Sequence, residues 1–342
     1  MSDIKIQPSA TGSGTVTITA PTTNTARVIT LPDSAGTLLD ENSSVPSANL
    51  TGTVVDARIS ALTASKLTGD LPAISGVNVT NVHAVNSGRK NMLINGGMVI
   101  DQRNSGAVTA NTIGGYTLDR WTVHQTANGK FTVQQNSGSV ASLADTGHAN
   151  YFGVVSASAH SVTAGQQYLV RQFVEGFDFA HAGWGTSSAK TVTISFWVRS
   201  SLTGNHGGAL QNSNATRVYP FSYVINVANT WEKKTITVAG DTTGTWIGAT
   251  NGQGVKLCFS MGTGSTYSAT AGAWNATQYV TSATGAVSIV GTSGATWYAT
   301  GVQLELGSVA TDFEHRSYGE ELALCQRYFY LLNLDAVNAF YS

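Results

Sequence analysis

Aromatic residues are absent from the first third of this chain. Its 7 Trp, 12 Tyr and 11 Phe begin at Tyr116, so residues 1–115 contain none. Aromatic side chains bury roughly 150–250 Å² each and dominate the cores of globular domains. Because a folded domain of that length without an aromatic is not expected, we predict that the chain begins as a thin extended element or one stabilised by other chains. The globular part is predicted to start near residue 89.

The charge content of the chain excludes several classes of protein. Only 11% of its 342 residues are charged, against about 25% in an average soluble domain. The formal net charge is −1 and no basic stripe is present, so we expect no nucleic-acid partner. No apolar run approaches the ~20 residues of a membrane helix, and the start MSDIKIQPS is unlike a signal peptide. We therefore expect synthesis in a cytoplasm and no membrane insertion.

Short repeats occupy the aromatic-free segment. Residues 12–40 show two β-branched runs around a Pro/Thr/Asn turn, which predicts a β-hairpin. Leu50–Gly52 and Leu67–Gly69 repeat the triplet Leu-Thr-Gly 17 residues apart. Each copy has too few aliphatic residues to bury a core, so such repeats must stack or wind with other chains. We predict an attachment segment over 1–46 and a short trimeric β-repeat stalk over 47–88, with a disordered linker as the alternative.

Strand patterns fill most of the remaining chain. Nine segments show period-2 alternation or short β-branched runs, separated by Gly, Asn, Ser and Thr turns. They are 118–125, 130–135, 166–177, 190–200, 219–227, 230–238, 255–261, 286–290 and 296–306. This spacing is typical of an antiparallel jelly roll or β-sandwich, which we predict for residues 89–317. The candidate core residues are Trp121, Phe196, Val198, Ile236 and Leu257.

The two ends of the predicted sandwich have distinct patterns. Residues 92–100 hold two apolar runs around a Gly-Gly pair, which predicts two strands joined by a tight bend. Near the other end, Val302, Leu304 and Leu306 alternate with polar residues, as expected for a strand with one buried face.

A helix is predicted at the C-terminus, within residues 318–342. Ser317 and Glu320 have the spacing of a capping box, which satisfies free backbone donors at a helix start. An apolar face follows, formed by Leu322, Cys325, Phe329 and Leu332. We expect a helix this apolar to pack between subunits or against the β-domain. Cys258 and Cys325 are interpreted as buried apolar side chains rather than as a disulfide or a catalytic thiol.

No sequence motif for catalysis is present. The chain has no Walker loop, no G-x-S-x-G and no H-E-x-x-H, and its seven histidines are scattered without metal-ligand spacing. Glu175, Asp178 and His181 lie close in sequence, but alternation along a continued strand would put the two carboxylates on opposite faces. We therefore predict that the chain is not an enzyme and has no cofactor and no metal site.

Aromatic residues in loop-like contexts are the candidate binding residues. An exposed ring on a loop can stack against the apolar face of a sugar. The candidates for carbohydrate binding are Trp184, Trp246, Tyr267 and Trp274. The alternative is that each ring covers an edge of the sandwich. The glycine-rich loops 204–215 and 262–276 are the candidates for specificity, because binding residues concentrate on loops held by rigid strands.

Two stretches about 200 residues apart resemble one family of phage proteins. Residues 91–103 (NMLINGGMVIDQR) and 303–330 (QLELGSVATDFEHRSYGEELALCQRYFY) resemble the entry and closing motifs of phage tail-fibre and virion structural proteins. LPDSAGTL at 31–38 and the Leu-Thr-Gly repeats resemble modules of phage fibres and their trimeric shafts.

The resemblance implies a protein of the phage virion. The expected function is that of a homotrimeric tail fibre whose sandwich adheres to a glycan on a bacterial surface. Its N-terminus would contact other tail or virion proteins. One alternative is a head fibre, collar or decoration protein with a purely structural role. A polysaccharide depolymerase spike is the less favoured alternative, because the sequence shows neither convergent carboxylates nor a long β-helix repeat.

Overall fold

The computed structural model of the chain describes residues 11–13, 26, 89–110, 115–140 and 143–332. The predicted attachment segment and stalk lie outside the described residues, apart from 11–13 and 26. The strands are β1 (Thr109–Ala110), β2 (Trp121–Gln125), β3 (Phe131–Gln135), β4 (Phe152–Ser156), β5 (Gln167–Glu175), β6 (Val192–Ser200), β7 (Gly204–Gln211), β8 (Val218–Ile225), β9 (Glu232–Val238), β10 (Gln253–Thr263), β11 (Ser268–Ala269), β12 (Ser282–Ala283) and β13 (Thr296–Leu306). The α-helices are α1 (Gly176–Phe179) and α2 (Tyr318–Gln326), and the 3-10 helices are Leu143–Thr146, Ala180–Ala182, Ser265–Tyr267 and Ile289–Gly291.

Most of these strands belong to two antiparallel sheets that enclose one core. The six-stranded sheet has the order β1-β3-β4-β13-β6-β9, and the five-stranded sheet has the order β2-β5-β10-β7-β8. β11 and β12 form a separate parallel pair. The predicted mostly-β architecture, an antiparallel sandwich followed by a C-terminal helix, is confirmed.

Alternation along the strands sends one set of side chains between the sheets. Phe196 of β6 contacts Phe259 of β10 across the core, with ring centroids 5.0 Å apart. Trp297 of β13 donates its indole N–H to the hydroxyl of Tyr223 on β8 at 2.9 Å. Four of the five predicted core residues are fully buried, namely Trp121, Phe196, Val198 and Leu257. The fifth, Ile236, is half-buried against the core.

The predicted loop 204–215 is wrong for most of its length, because it contains β7. This strand pairs with β8 and β10. A Cβ at Gly207 would lie 2.3 Å from the Oγ of Ser282, and one at Gly208 would lie 2.4 Å from the carbonyl oxygen of Cys258. The glycines therefore permit close packing of neighbouring chain segments rather than a turn.

One further strand prediction fails, and the five-residue strand β4 was not predicted. Segment 286–290 is not a strand, and it leads into the 3-10 helix Ile289–Gly291. Ile289 and Val290 are fully buried, so the apolar run marks a buried turn. β4 was missed because its single short run follows residues 136–150, most of which are polar or small and favour a loop.

The predicted strands within 92–100 are also absent, since these residues form successive turns alongside β13. The backbone N–H of Met92 donates to the carbonyl of Leu304, and that of Val302 donates to the carbonyl of Gly96, each at 2.9 Å. A Cβ at position 96 would lie 2.1 Å from the Val302 oxygen, so only glycine fits.

β13 was predicted to bury one face, but both of its faces are covered. Gln303 and Glu305, on the side away from the core, are 0% and 3% exposed. Residues 311–316, here called the strap, cover them. The backbone N–H of Thr311 donates to Glu305 Oε1 at 2.9 Å, and that of Glu314 donates to Gln303 Oε1 at 2.9 Å. The polar alternation therefore marks buried hydrogen-bonding groups rather than a solvent face.

The two segments that carry the phage resemblance lie against each other, and we call residues 91–103 together with 303–330 the clasp. Arg316, whose side chain is 3% exposed, donates to the carbonyls of Asn91 at 2.6 Å and Leu93 at 3.1 Å. Residues more than 200 positions apart in sequence thus form one structural unit.

Helix α2 begins at the predicted cap. The Oγ of Ser317 accepts from the backbone N–H of Glu320 at 3.3 Å. The helix ends at Gln326, so its predicted extension is wrong for residues 327–332. The remainder of the predicted helix lies outside the described residues.

The packing of α2 matches one of the two predicted environments, the β-domain. Cys325 is buried against Ile94 and Ile100 of the clasp. Leu332, predicted to be buried, is 58% exposed, because the chain leaves the helical path before reaching it. Both cysteines are free and buried, as predicted, and burial raises the pKa of the Cys258 thiol.

Candidate functional site

The structure brings three of the four predicted binding residues together. The ring centroids of Trp184 lie 4.8 Å from those of Trp246 and 5.0 Å from those of Trp274. Trp246 and Trp274 are 5.6 Å apart, and all three pairs are close to perpendicular. We call these three residues the tryptophan cluster. Tyr267 lies apart from it, in the 3-10 helix Ser265–Tyr267.

The tryptophan cluster has little free surface for a ligand. Its indole N–H groups all donate within the chain, to Lys190 O at 2.7 Å, Asp241 Oδ2 at 3.1 Å and Ala239 O at 2.7 Å. Trp184 is 6% exposed, and Trp246 and Trp274 are half-buried against the core. This packing fits the alternative that these rings cover an edge of the sandwich. Sugar binding by the two half-buried rings stays a prediction.

The carboxylates singled out from the sequence take part in ion pairs. Glu175 ends β5 and accepts from Arg327 at 2.8 Å, while Asp178 of α1 pairs with Arg89. Among the described residues, no three His, Cys, Asp or Glu side chains are grouped as metal ligands. Within that same part of the chain, no helix has the length and apolar character needed to cross a membrane.

A cleft of about 260 Å³ opens on the outer face of the six-stranded sheet. Its floor is formed by β6 and β13, one wall by the segment after the 3-10 helix Leu143–Thr146, and the other wall by the strap. The lining residues are Thr146, His148, Ser195, Trp197, Lys233, Gly301, Thr311, Asp312, Phe313 and His315.

Packing on the outer face of the sheet fixes both walls. On one side, Tyr151 packs against Trp231 and Tyr298, with centroid distances of 5.7 and 5.2 Å. Its hydroxyl donates to the carbonyl of Ser137 at 2.5 Å. On the other side, the strap is tied to β13 by the hydrogen bonds described above. The cleft therefore lies between two covers of one sheet.

The walls meet where His148 reaches across Gly301. The ring of His148 lies edge-on to Phe313 at 4.7 Å and 5.3 Å from the ring of His315. Gly301 has φ of +58°, and a Cβ there would lie 2.3 Å from Nε2 of His148. Glycine is thus required both by the backbone conformation and by the histidine above it.

The cleft is lined by one lysine, one aspartate and two histidines. Burial, with smaller effects from His315 and Lys233, lowers the pKa of His148 to about 4, so its ring is uncharged. Lys233 carries a positive charge and Asp312 a negative one. The two charges are opposite in sign and are not paired with each other, so both side chains can hydrogen-bond to a neutral, polar ligand.

Several polar groups in the cleft have no partner within the described part of the chain. They are the indole N–H of Trp197, the ammonium of Lys233, the carboxylate of Asp312 and the ring nitrogens of His148. The rings of Trp197 and Phe313 supply half-buried apolar surface beside them. Apolar ring surface with free donors and acceptors suits a sugar, which has an apolar face and a rim of hydroxyl groups.

Sequence reasoning missed this cleft. Its walls come from segments about 165 residues apart, and His148 and His315 have no local motif that would link them. A partial signal was present, since strand alternation on β6 puts Trp197 on the face opposite Phe196.

The fold and the cleft define a two-sheet antiparallel sandwich with a polar, aromatic-walled site on one outer face. No protein-family model and no curated protein matches the chain. Solved structures with a similar arrangement of strands include the enzymatically active domain of tailspike protein 4 from bacteriophage CBA120, at 12% identity and a TM-score of 0.33. That match covers 64% of this chain and 21% of the tailspike, so this chain spans about a fifth of its length.

Two carbohydrate-binding modules are also similar. TmCBM61, solved with β-1,4-galactotriose, matches at 10% identity and a TM-score of 0.32, covering 64% of this chain and 100% of the module. The family 11 module of Clostridium thermocellum, solved with a β-1,3-1,4-mixed-linked tetrasaccharide, matches at 11% identity and a TM-score of 0.28, covering 60% and 100%. At TM-scores below 0.5, these likenesses carry no ligand or activity over to this chain.

Proposed function

We propose that the sandwich binds a neutral oligosaccharide in the cleft between the strap and His148. The observation that carries this proposal is the set of unpartnered polar groups beside the half-buried rings of Trp197 and Phe313. Of these groups, those of Trp197 and His148 are half-buried, whereas Lys233 and Asp312 are exposed. A half-buried polar group without a partner is costly, and a ligand that supplies hydroxyl groups offsets that cost, while the two exposed side chains remain available to bind it. The tryptophan cluster is the weaker candidate, because its polar groups already have partners.

The biological role we propose is adhesion by a homotrimeric phage tail fibre to a glycan on a bacterial surface. The phage resemblance of the clasp and the stalk-like repeats supports this role. Assembly is supported by exposed apolar side chains at the end of the described chain, namely Tyr318, Tyr330, Leu331 and Leu332, which are 56–62% exposed. Three shallow sites on one fibre would raise the overall affinity through multivalency.

A structural role as a head, collar or decoration protein is the second candidate. The same exposed apolar residues favour it, since they suit contact with another protein. In that case the cleft would bind no sugar, so a measurement of sugar binding distinguishes the two roles.

The test is binding of the full-length protein to an array of bacterial surface oligosaccharides, followed by calorimetric titration of those retained. We expect at least one neutral oligosaccharide to bind, and F313A and H315A to weaken that binding at least tenfold. F177A is the matched control, because Phe177 is 57% exposed and lies outside the cleft.

Variants W246A and W274A distinguish the two candidate sites. Loss of binding in these variants with unchanged binding in F313A would move the site to the tryptophan cluster. Absence of binding to every neutral oligosaccharide would refute glycan recognition and favour the structural role. Light scattering on the full chain tests the assembly, with three times the monomer mass expected.

A further inference from the structure

Cationic side chains lie together on the outer face of the other sheet, away from the cleft. Arg171 and Phe173 are on β5, and Lys256 is on β10 directly opposite Phe173. The Arg171 guanidinium carbon lies 5.2 Å from the centroid of the Phe173 ring, and the Lys256 ammonium lies 5.7 Å from it. His124 of β2 completes the group, which we call the basic strip.

The two charges of the basic strip have no carboxylate partner in the described part of the chain. The ion pairs formed there involve neither Arg171 nor Lys256. Glu175, two residues beyond Phe173 on β5, is engaged by Arg327 at 2.8 Å. Arg171 instead donates to the hydroxyl of Thr122 at 3.2 Å.

The two cations and the His124 ring are partly out of water. Arg171, Lys256 and His124 are all half-buried. The pKa of His124 is lowered mainly by burial, and to a smaller extent by the positive charges of Arg171 and Lys256. Burial is also the main cause that lowers the pKa of Lys256. Two like charges held together without a counter-charge destabilise each other, and a bound anion relieves that repulsion.

Side chains pack on the outer side of this sheet at two places near the strip. On the β7 and β8 side, Val280 packs over Ala209 and Val218. On the opposite side, the guanidinium carbon of Arg120 lies 3.4 Å from the centroid of the Tyr328 ring. The strip itself, on β2, β5 and β10, keeps its side chains half-buried and accessible.

We propose that the basic strip is a second binding site, which holds the carboxylate of an acidic sugar residue. Arg171 and Lys256 form charge-assisted hydrogen bonds to the carboxylate. The neutral, half-buried imidazole of His124 hydrogen-bonds to a sugar hydroxyl, while the buried hydroxyl of Thr122 positions the Arg171 guanidinium. This site goes beyond the proposed cleft, because it takes a different class of sugar on the other sheet and does not require the cleft to bind anything.

Calorimetric titration of the full-length protein with trigalacturonate, and with neutral galactotriose as the matched probe, tests the site. We expect trigalacturonate to bind and to weaken as salt rises from 20 to 200 mM, because the contact is partly exposed. R171M and K256M should each weaken it at least tenfold, while K256R should retain most of the affinity. K190M, which removes an exposed lysine elsewhere, and H315A, which alters the cleft, should leave trigalacturonate binding unchanged.

Three results would overturn the proposal: no trigalacturonate binding at 5 mM, equal binding by K256M, or inorganic phosphate binding as tightly as trigalacturonate. The last would indicate a general anion site rather than a sugar site. Near-ultraviolet circular dichroism establishes that each variant is folded, and retention of affinity by K256R separates a lost charge from a lost fold. Failure of the cleft proposal would show instead as lack of neutral-sugar binding, so the two failures are distinguishable.

Discussion

Replacement of Arg316 by methionine is expected to destabilise the protein more than any other removal of a single charge in the clasp. Its buried guanidinium joins two backbone carbonyls of residues 91–93 to two carboxylates, those of Glu314 at 3.3 Å and Glu321 at 3.4 Å. Glu321 also accepts from the backbone N–H of Asn95, so it remains fixed in place when the arginine is lost.

The magnitude follows from the charges left behind. The side chains of Glu314 and Glu321 are 19% and 11% exposed, and removing one partner of a buried ion pair costs about 3–5 kcal/mol. For a domain of this size, 1 kcal/mol shifts the melting temperature by about 2–4 °C, so R316M should melt roughly 6–20 °C lower. The double variant R316M/E321Q should recover part of this loss, because it removes one of the uncompensated charges.

Urea denaturation followed by tryptophan fluorescence measures the effect, at one fixed protein concentration because assembly would couple to stability. R327M is the control, since that arginine is 53% exposed and solvent screens its pair with Glu175, so its loss should destabilise the protein far less. A loss below 1 kcal/mol in R316M, or one equal to that of R327M, would refute the view that the clasp depends on this residue.

Three further outcomes are expected. G301A should lose about 1–2 kcal/mol of stability, because φ is +58° at this position. It should also weaken neutral-sugar binding, because the added Cβ displaces the His148 ring. An unchanged affinity in calorimetric titration would contradict the placement of the site. His148 has a folded pKa of about 4, below its unfolded value of 6.5, so the unfolded state binds more protons and stability is lost as pH falls from about 6.5 towards 4. The contribution is about 2 kcal/mol between pH 7 and pH 5, and urea titrations at both pH values should show a smaller difference in H148Q. S317A should lower the free energy of unfolding by about 1 kcal/mol, because the N-cap hydrogen bond of α2 is lost. Urea denaturation measures this effect, and an unchanged denaturation midpoint would contradict the role of Ser317 as a cap.

Local patterns predicted most of the sandwich because alternation reports directly on a strand with one apolar face. This rule located β6 and β10, with Phe196 and Leu257 in the core. The capping box likewise located the start of α2. Each of these features depends on residues within a few positions of one another.

The errors arose where the determining contact is distant in sequence. β7 was mistaken for a loop because the packing role of Gly208 depends on Cys258, 50 residues away. Gln303 and Glu305 were assigned to a solvent-exposed face because no pattern in the neighbouring sequence predicts that the strap covers them. The cleft was missed for the same reason, since only folding brings His148 to Phe313.

The clasp gives the motif residues a physical reason for their identities. Gly96 leaves space for the carbonyl of Val302, and Asn91 donates to that carbonyl at 3.1 Å while accepting from the N–H of Leu304. Arg316 then holds the segment from the other side. Membership of the phage tail-fibre family, the trimeric stalk and location in the virion stay predictions.

The most direct test of the account is a crystal structure of the full chain soaked with the neutral oligosaccharide that it binds most tightly. We expect the sugar in the cleft, with one ring against Trp197 or Phe313 and hydroxyl groups within hydrogen-bonding distance of Lys233 and Asp312. A sugar bound at Trp246 and Trp274, with the cleft empty, would contradict the account.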